Sequence, residues 1–342
     1  MKIKKDYMRY YNEDKYQTFE KNFKEPKGLN NKEGNCYMNS LLQCFYYCCP
    51  MTIFFLSSKD KCRLGVISKS YYDFVHCLHS GSSDAALSFQ KVMMRDYFTL
   101  NEEKDLKELP TFMLSKVNEE LKENNSSNLY KNTIYSNPYD LRSVYEEKLY
   151  LDKNNNSIIA KIFFYDILYI KTCNKCKHSK QYDIQSDMVL TFELDKIYKK
   201  NSSYPNISII DCLENYFKEE IFNCPFCNRE TLGIKKLICS LQEIFIFVMS
   251  RDKNDKVKIN FPLKINMENF YEPINKNYEI HNTEYELICG TFKIENHNIS
   301  ICKNYNNGCY YSFNDSEVRK INFLEIFDKN PYILFYKRSD LK

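Results

Sequence analysis

The residues best suited to chemistry in this chain are one cysteine, one histidine and two cysteine pairs. Cys36 stands where a Gly- and Asn-rich stretch, residues 28–35, meets an apolar stripe of Met38, Leu41, Leu42 and Phe45. Those four recur at i, i+3, i+4 and i+7, the spacing of one buried helix face. Cys36 therefore opens a helix. Gly and Asn before it favour tight turns and left-handed backbone, so several N–H groups are expected to point outward at the helix start. With the positive end of the helix dipole they favour thiolate over thiol, lowering the pKa below its ordinary value of about 8.5. Cys44, Cys48, Cys49, Cys62 and Cys77 have no such context and read as small buried hydrophobes.

A thiolate nucleophile needs a base, and the base needs a third group to hold it. The chain has 5 histidines. His76 and His79 could share a helix face but have no paired carboxylate or cysteine, so they read as structural or exposed; His281 lacks a partner pattern. His297 opens a strand over residues 297–303, and after an Asn-rich turn a returning strand ends at Asn314 and Asp315. A turn centred between Tyr305 and Asn306 sets His297 directly across from Asn314, with Cβ atoms about 4.5–5.5 Å apart. Asn307-Gly308 is the stronger two-residue turn signal, and centring there moves the pair out of register unless a bulge intervenes.

The cysteine pairs are Cys173-Asn-Lys-Cys176 and Cys224-Pro-Phe-Cys227. Two Cys-x-x-Cys turns present four thiolates tetrahedrally, with backbone N–H groups supporting the sulfurs. Such a set closes the coordination sphere, so the expected ion is a structural zinc. His178 is a less favoured substitute ligand. No thioredoxin-like pattern surrounds either turn.

The elements that must position these groups follow from periodicity. Residues 105–121 read as a helix with Leu109, Phe112, Met113, Val117 and Leu121 inward and Pro110 in its first turn. The apolar residues 158–163 and 167–170 lead as a strand into the first knuckle, and residues 187–194 alternate as another strand. Residues 208–220 read as a helix capped by Ser208 with Asp211 at the capping-box place, its buried stripe being Ile209, Ile210, Leu213, Tyr216 and Phe217. Residues 244–249 are an apolar strand, and residues 258–269 a shorter, proline-broken one. Pro50 ends the first apolar stretch, residues 51–100 read as short helices and loops, and residues 122–136 as a polar insertion.

At 342 residues the chain is long enough to bury about three quarters of its unfolded surface. A net charge of +4 with 27% charged residues announces neither a nucleic-acid nor a membrane partner. The longest apolar run, residues 244–249, is far too short to span a bilayer. Fifteen cysteines without a secretory leader argue for free thiols and metal ligands in a reducing compartment.

Gly28-Leu29, Asn31, Cys36-Tyr37-Met38-Asn39-Ser40 and Gln43 resemble the cysteine box of the ubiquitin-specific proteases, papain-like cysteine peptidases that cut ubiquitin from proteins. Tyr285-Glu-Leu, His297, Phe313-Asn314-Asp315-Ser316, Val318 and residues 332–336 stand in the order of that family's histidine box. The resemblance implies Cys36 as nucleophile, Asn31 as an oxyanion-hole amide, His297 as base, Asn314 as third triad member and Asp315 in support. Asp105 and Glu108 fall on acidic positions the family uses against arginines of the ubiquitin tail. Cys173, Cys176, Cys224 and Cys227 would hold the Zn2+ that ties the tips of a fingers sheet. The implied fold is α+β and papain-like: an N-terminal extension over residues 1–27, a thumb over about 28–156, and fingers and palm over about 157–340. The implied function is thiol-dependent hydrolysis after the C-terminal glycine of ubiquitin, inside the cell in cytoplasm or nucleus. Ubiquitin or its conjugates would be the partners, with no organic cofactor, nucleic acid or membrane.

Lys32-Glu33-Gly34-Asn35 stands where the family reads Leu-Gly-Asn-Thr, and Asn296-His297-Asn298 where it reads Gly-His-Tyr. These departures keep open a non-catalytic ubiquitin-binding relative and a peptidase for a ubiquitin-like modifier. A zinc-ribbon nucleic-acid binder would want basic residues around both knuckles. Lys171, Lys175, Lys177 and Lys180 flank the first, but residues 223–230 are barely basic.

Overall fold

The computed structural model describes residues 25–32, 34–58, 64–96, 107–122, 137–154, 157–177, 180–197, 206–251, 257–274, 282–294, 297–322 and 324–340. Asp105, His178, His281 and Cys62 lie outside them, as do residues 1–24 of the expected extension.

The apolar stripe after Cys36 forms helix α1 (Cys36–Tyr46), with Met38, Leu41, Leu42 and Phe45 all buried. Pro50 does not end the helical region: it sits in the first turn of α2 (Cys49–Ser57), where its missing N–H has no helical partner to lose. Then follow α3 (Val66–His79), α4 (Ala86–Asp96), α5 (Leu109–Leu121), α6 (Leu141–Asn154) and α7 (Ile158–Phe163). In α5 the inward residues are Leu109, Met113, Leu114 and Val117, while Phe112 and Leu121 are half-buried. The Glu120 carboxylate accepts from the N–H groups of Ile67 and Ser68, so α5 caps the start of α3. Residues 158–163 are helical, not extended, because the Ser157 hydroxyl accepts from the Ala160 N–H and caps them. His76 and His79 lie in the last turn of α3, bonded to the Phe55 carbonyl oxygen and the Tyr46 hydroxyl, which is a structural role. Among the described residues no single helix is long and apolar enough to cross a membrane.

The second half begins with β1 (Tyr165–Lys171), β2 (Gln181–Asp187), β3 (Leu190–Glu193), the single turn α8 (Leu194–Ile197), β4 (Asn206–Ser208), α9 (Ile209–Tyr216), β5 (Glu220–Asn223) and β6 (Glu230–Ser240). It continues through β7 (Ile244–Ser250), β8 (Lys258–Asn260), β9 (Lys264–Asn266), β10 (Glu284–Ile294), β11 (His297–Lys303), β12 (Tyr310–Asn314), β13 (Glu317–Ile321), α10 (Leu324–Phe327) and β14 (Pro331–Arg338). The capping box of Ser208 and Asp211 is formed, but α9 stops at Tyr216 and buries Cys212 in place of Ile210, which is 37% exposed.

Two sheets dominate. A four-stranded sheet has the order β2-β1-β6-β5; an eight-stranded sheet runs β13-β12-β11-β10-β14-β7-β3, with β9 on β10. β7 shows how the larger sheet is buried. Ile244, Ile246 and Val248 pack with the α1 side chains, while Phe245, Phe247 and Met249 join a second core with Ile299, Ile301 and Tyr336. A strand covered on both faces reads as a continuous apolar run, which is why residues 244–249 show no alternation.

Phe45 is 0% exposed and meets Phe163 and Phe335 edge to face at 6.2 and 5.5 Å between ring centroids. Phe45→Ala is expected to cost about 3–5 kcal/mol of stability, checked by denaturant unfolding.

Candidate active site

The nucleophile candidate is held from its N-terminal side. Gly34 takes a left-handed φ of 70°, and Asn35, 1% exposed, precedes α1. The Asn35 N–H donates to the Asn31 Oδ1 at 2.8 Å, closing the loop back on itself. Cys36 is half-buried at the helix start. The Asn298 Nδ2, from the strand β11, lies 3.8 Å from its sulfur.

The strand that carries His297 pairs with its return strand in a register neither expected turn produces. Ser300 faces Phe313 and Lys303 faces Tyr310, which centres the loop between Asn306 and Asn307. Asn304 explains the shift: its side chain accepts from the N–H of Asn306, and its backbone bonds to Gly308 and Cys309, so residues 305–308 form a four-residue loop. Gly308 supplies the left-handed φ of 66° that this loop needs.

That register corrects the expected pairing of His297 with Asn314. Asn314 is exposed and lines a small cavity with Ile299 and Ser312 on the sheet face away from α1. The next residue, Asp315, turns toward α1 with a φ of 52°, a conformation Asp tolerates better than most residues. Its Oδ2 stands 3.5 Å from the His297 Nε2 and accepts from the Asn31 Nδ2 at 2.9 Å. Its Oδ1 accepts from the Asn39 Nδ2 at 2.8 Å, and its backbone oxygen accepts from the Leu29 N–H at 2.8 Å. Cys36, His297, Asn31 and Asp315 therefore belong to one locality, whereas Asn314 does not. Glu108, just before α5, is exposed with no capping bond of its own.

Asn39 and Asn298 stand inside the quoted motifs with no role assigned to them, and the sequence gives no pointer to Gln90. Asn39 is 2% exposed and also accepts from the Gln90 Nε2 at 2.7 Å. A signal existed: Asn39 and Gln43 are polar residues on a helix otherwise committed to the core, and buried polar groups need partners. Gln43 finds its own in the Lys27 carbonyl oxygen at 2.8 Å.

The two knuckles meet as their spacing implied. β1 pairs with β6, so the turn after β1 and the turn before β6 lie side by side at one end of the four-stranded sheet. The four sulfurs lie within 4.8 Å of one another, with Cys173 and Cys227 3.7 Å apart and Cys176 and Cys224 3.6 Å apart. Lys177 and Asn228, each one residue past its pair, take left-handed φ values of 51° and 50°. The Cys176 N–H donates to the Cys173 sulfur, and such backbone bonds bring that thiol down to about 6. The set fits a metal ion. Cys77, by contrast, is exposed and not the buried hydrophobe expected of it.

A family model described as "Ubiquitin carboxyl-terminal hydrolase" matches residues 27–336. The chain is 26% identical to the "Probable ubiquitin carboxyl-terminal hydrolase 4" of Schizosaccharomyces pombe, covering 93% of this chain and 59% of that one. It is 22% identical to the human "Ubiquitin carboxyl-terminal hydrolase 2", covering 91% of this chain and 54% of that one. The chain thus spans less than two thirds of the length of these relatives. A solved SAGA Ubp8/Sgf11/Sus1/Sgf73 DUB module bound to ubiquitin aldehyde aligns with a TM-score of 0.64 at 20% identity, over 92% of this chain and 70% of that one. At that identity the likeness is one of fold.

Gly28 is where the loop before Cys36 crosses the Asp315 turn, and a Cβ there would stand 2.5 Å from the Ser316 carbonyl oxygen and 2.6 Å from that of Asp315. Gly28→Ala should cost about 1–3 kcal/mol by forcing two backbone segments apart. Denaturant midpoints of the variant and the parent test this.

Proposed function

Because the chain belongs to the ubiquitin carboxyl-terminal hydrolase family, we propose that it is a thiol-dependent deubiquitinase hydrolysing the peptide or isopeptide bond after the C-terminal glycine of ubiquitin. The observation that carries this reading is the Asp315 carboxylate, which faces His297 and holds Asn31 and Asn39 beside the start of the Cys36 helix.

In this reading Cys36 attacks the glycine carbonyl carbon and His297 takes its proton, later passing it to the departing amine. With Nε2 turned toward Asp315, Nδ1 is the imidazole nitrogen left to serve Cys36. Asp315 fixes the ring and stabilises the imidazolium, the role the family resemblance implied for Asn314. Asn31 gives one N–H to Asp315, and its second N–H, with backbone N–H groups at the start of α1, receives the developing oxyanion. Water then releases ubiquitin from the thioester.

The helices α1–α7 serve as thumb, the eight-stranded sheet as palm and the four-stranded sheet as fingers. Cys173, Cys176, Cys224 and Cys227 hold a structural Zn2+, which fixes the finger tips and takes no part in the chemistry. Glu108 presents its carboxylate to the basic ubiquitin tail. The free thiols fit a reducing intracellular compartment.

Ubiquitin bearing a C-terminal electrophile should add once to the protein by intact mass, and Cys36→Ala should abolish the adduct. Ubiquitin binding without an adduct would overturn the reading in favour of a binder. Asp315→Ala should lower kcat/KM by roughly 10²-fold or more, and Asn314→Ala by less than about ten-fold.

Native mass should show one zinc per chain. Chelation or Cys224→Ala should remove it and lower the melting temperature, since binding free energy at such sites is folding free energy.

A further inference from the structure

Beneath the nucleophile lies a second group of thiols that the proposed chemistry does not use. Cys44 sits on α1, two turns beyond Cys36, while Cys289 is on β10 and Cys302 on β11. Their three sulfurs lie within 4.8 Å of one another, and the residues are 0%, 1% and 0% exposed. Cys289 and Cys302 are directly opposed in the β10–β11 register. The next rung on that face pairs Thr291 with Ser300; both hydroxyls are fully buried, that of Thr291 has no hydrogen-bond partner among the described residues, and that of Ser300 lies beside the Cys302 sulfur.

A cluster packed merely as hydrophobes would gain nothing from buried hydroxyls on its next rung, because an unpaired buried donor such as that of Thr291 costs about 1–3 kcal/mol. Metal-bound thiolates would accept from those hydroxyls as outer supports of a site.

We propose that Cys44, Cys289 and Cys302 form a three-sulfur site for one copper(I) ion, separate from the knuckles. A set of sulfur ligands alone selects a soft cation. Structural zinc takes four protein ligands almost without exception, whereas copper(I) accepts three, and the depth of burial admits no water as a fourth. Cys48, also 0% exposed and within side-chain hydrogen-bond reach of Cys289, is the sulfur that could complete a zinc site instead. The ion would join the helix that begins at Cys36 to the strand that begins at His297.

The full chain, produced with copper and zinc supplied and weighed intact under native conditions, should carry one copper in addition to any knuckle zinc. X-ray absorption should give that copper three sulfur neighbours. Cys44→Ala and Cys302→Ala should each lower copper content at least roughly ten-fold while leaving zinc unchanged. If either variant fails to fold, the absorption measurement on the parent still decides. Copper bound only as zinc leaves, copper retained in both variants, or no copper would overturn the site. So would a second zinc lost in Cys48→Ala, which would make it a four-sulfur zinc centre. The zinc count reports on the knuckles by itself, so failure of one metal reading is distinguishable from failure of the other.

Discussion

The candidate active site is joined through one turn residue, Asp315. Its carboxylate is shared between Asn31 and Asn39 and stands against His297, while its backbone oxygen holds Leu29. The bond from Asn31 joins segments 284 residues apart in sequence. Hydrogen bonds to an ionised carboxylate are roughly twice as strong as neutral ones. A carboxylate offers about four acceptor positions, enough to serve both amides and still face the imidazole. An amide in its place could accept at one oxygen only. The acid here is therefore the joint between the loop before Cys36 and the histidine strand, and it stands 3.5 Å from the imidazole.

Such a joint needs rigid parts on either side. Helix α1 is buried almost all round against the large sheet, and that sheet is itself covered on both faces. The chain has no tryptophan, so phenylalanine and tyrosine do the packing. Phe45 locks α1 to α7 and β14, and Tyr47 meets Phe313 at 5.5 Å. The Tyr305 hydroxyl donates to the Tyr47 carbonyl oxygen at 2.9 Å, tying the β11–β12 loop to the end of the helix. Positions set this way keep reacting groups within the small tolerance that catalysis requires.

The parts of this architecture legible in the sequence were those governed by local periodicity or fixed ligand spacing. The α1 stripe, the capping box at Ser208 and each Cys-x-x-Cys turn follow from residues within one or two turns of one another, and two such turns imply their own meeting. The hairpin register was not legible, because an Asn side chain rather than a two-residue turn sets it. Asn304 caps the loop from within, and no propensity for Asn307-Gly308 reveals that. The consequence is one of reach. The observed register is displaced by two residues from the one that would oppose His297 and Asn314, which keeps each side chain on its own face; Asn314 stays on the face away from α1, and the left-handed backbone at Asp315 brings that carboxylate to His297. Residues 158–163 were misread for a related reason: β-branched apolar residues look extended until the Ser157 cap is counted.

The loop before Cys36 departs from the family pattern, yet its described residues are anchored on both sides of the change. The Asn30 N–H donates to the Ser83 carbonyl oxygen and its side chain to Asp84, both at 2.8 Å, and Lys32 pairs with Asp84 at 3.0 Å. The exposed ion pair contributes little by itself. The backbone bonds from Asn30 and Leu29, with the closure of Asn35 onto Asn31, fix the path of the chain on both sides of the altered residues. Loops released from function lose such contacts, because nothing then offsets the entropy of ordering them. Held on both sides in this way, the changed sequence still delivers Cys36 to the start of α1, which is the placement the proposed chemistry needs.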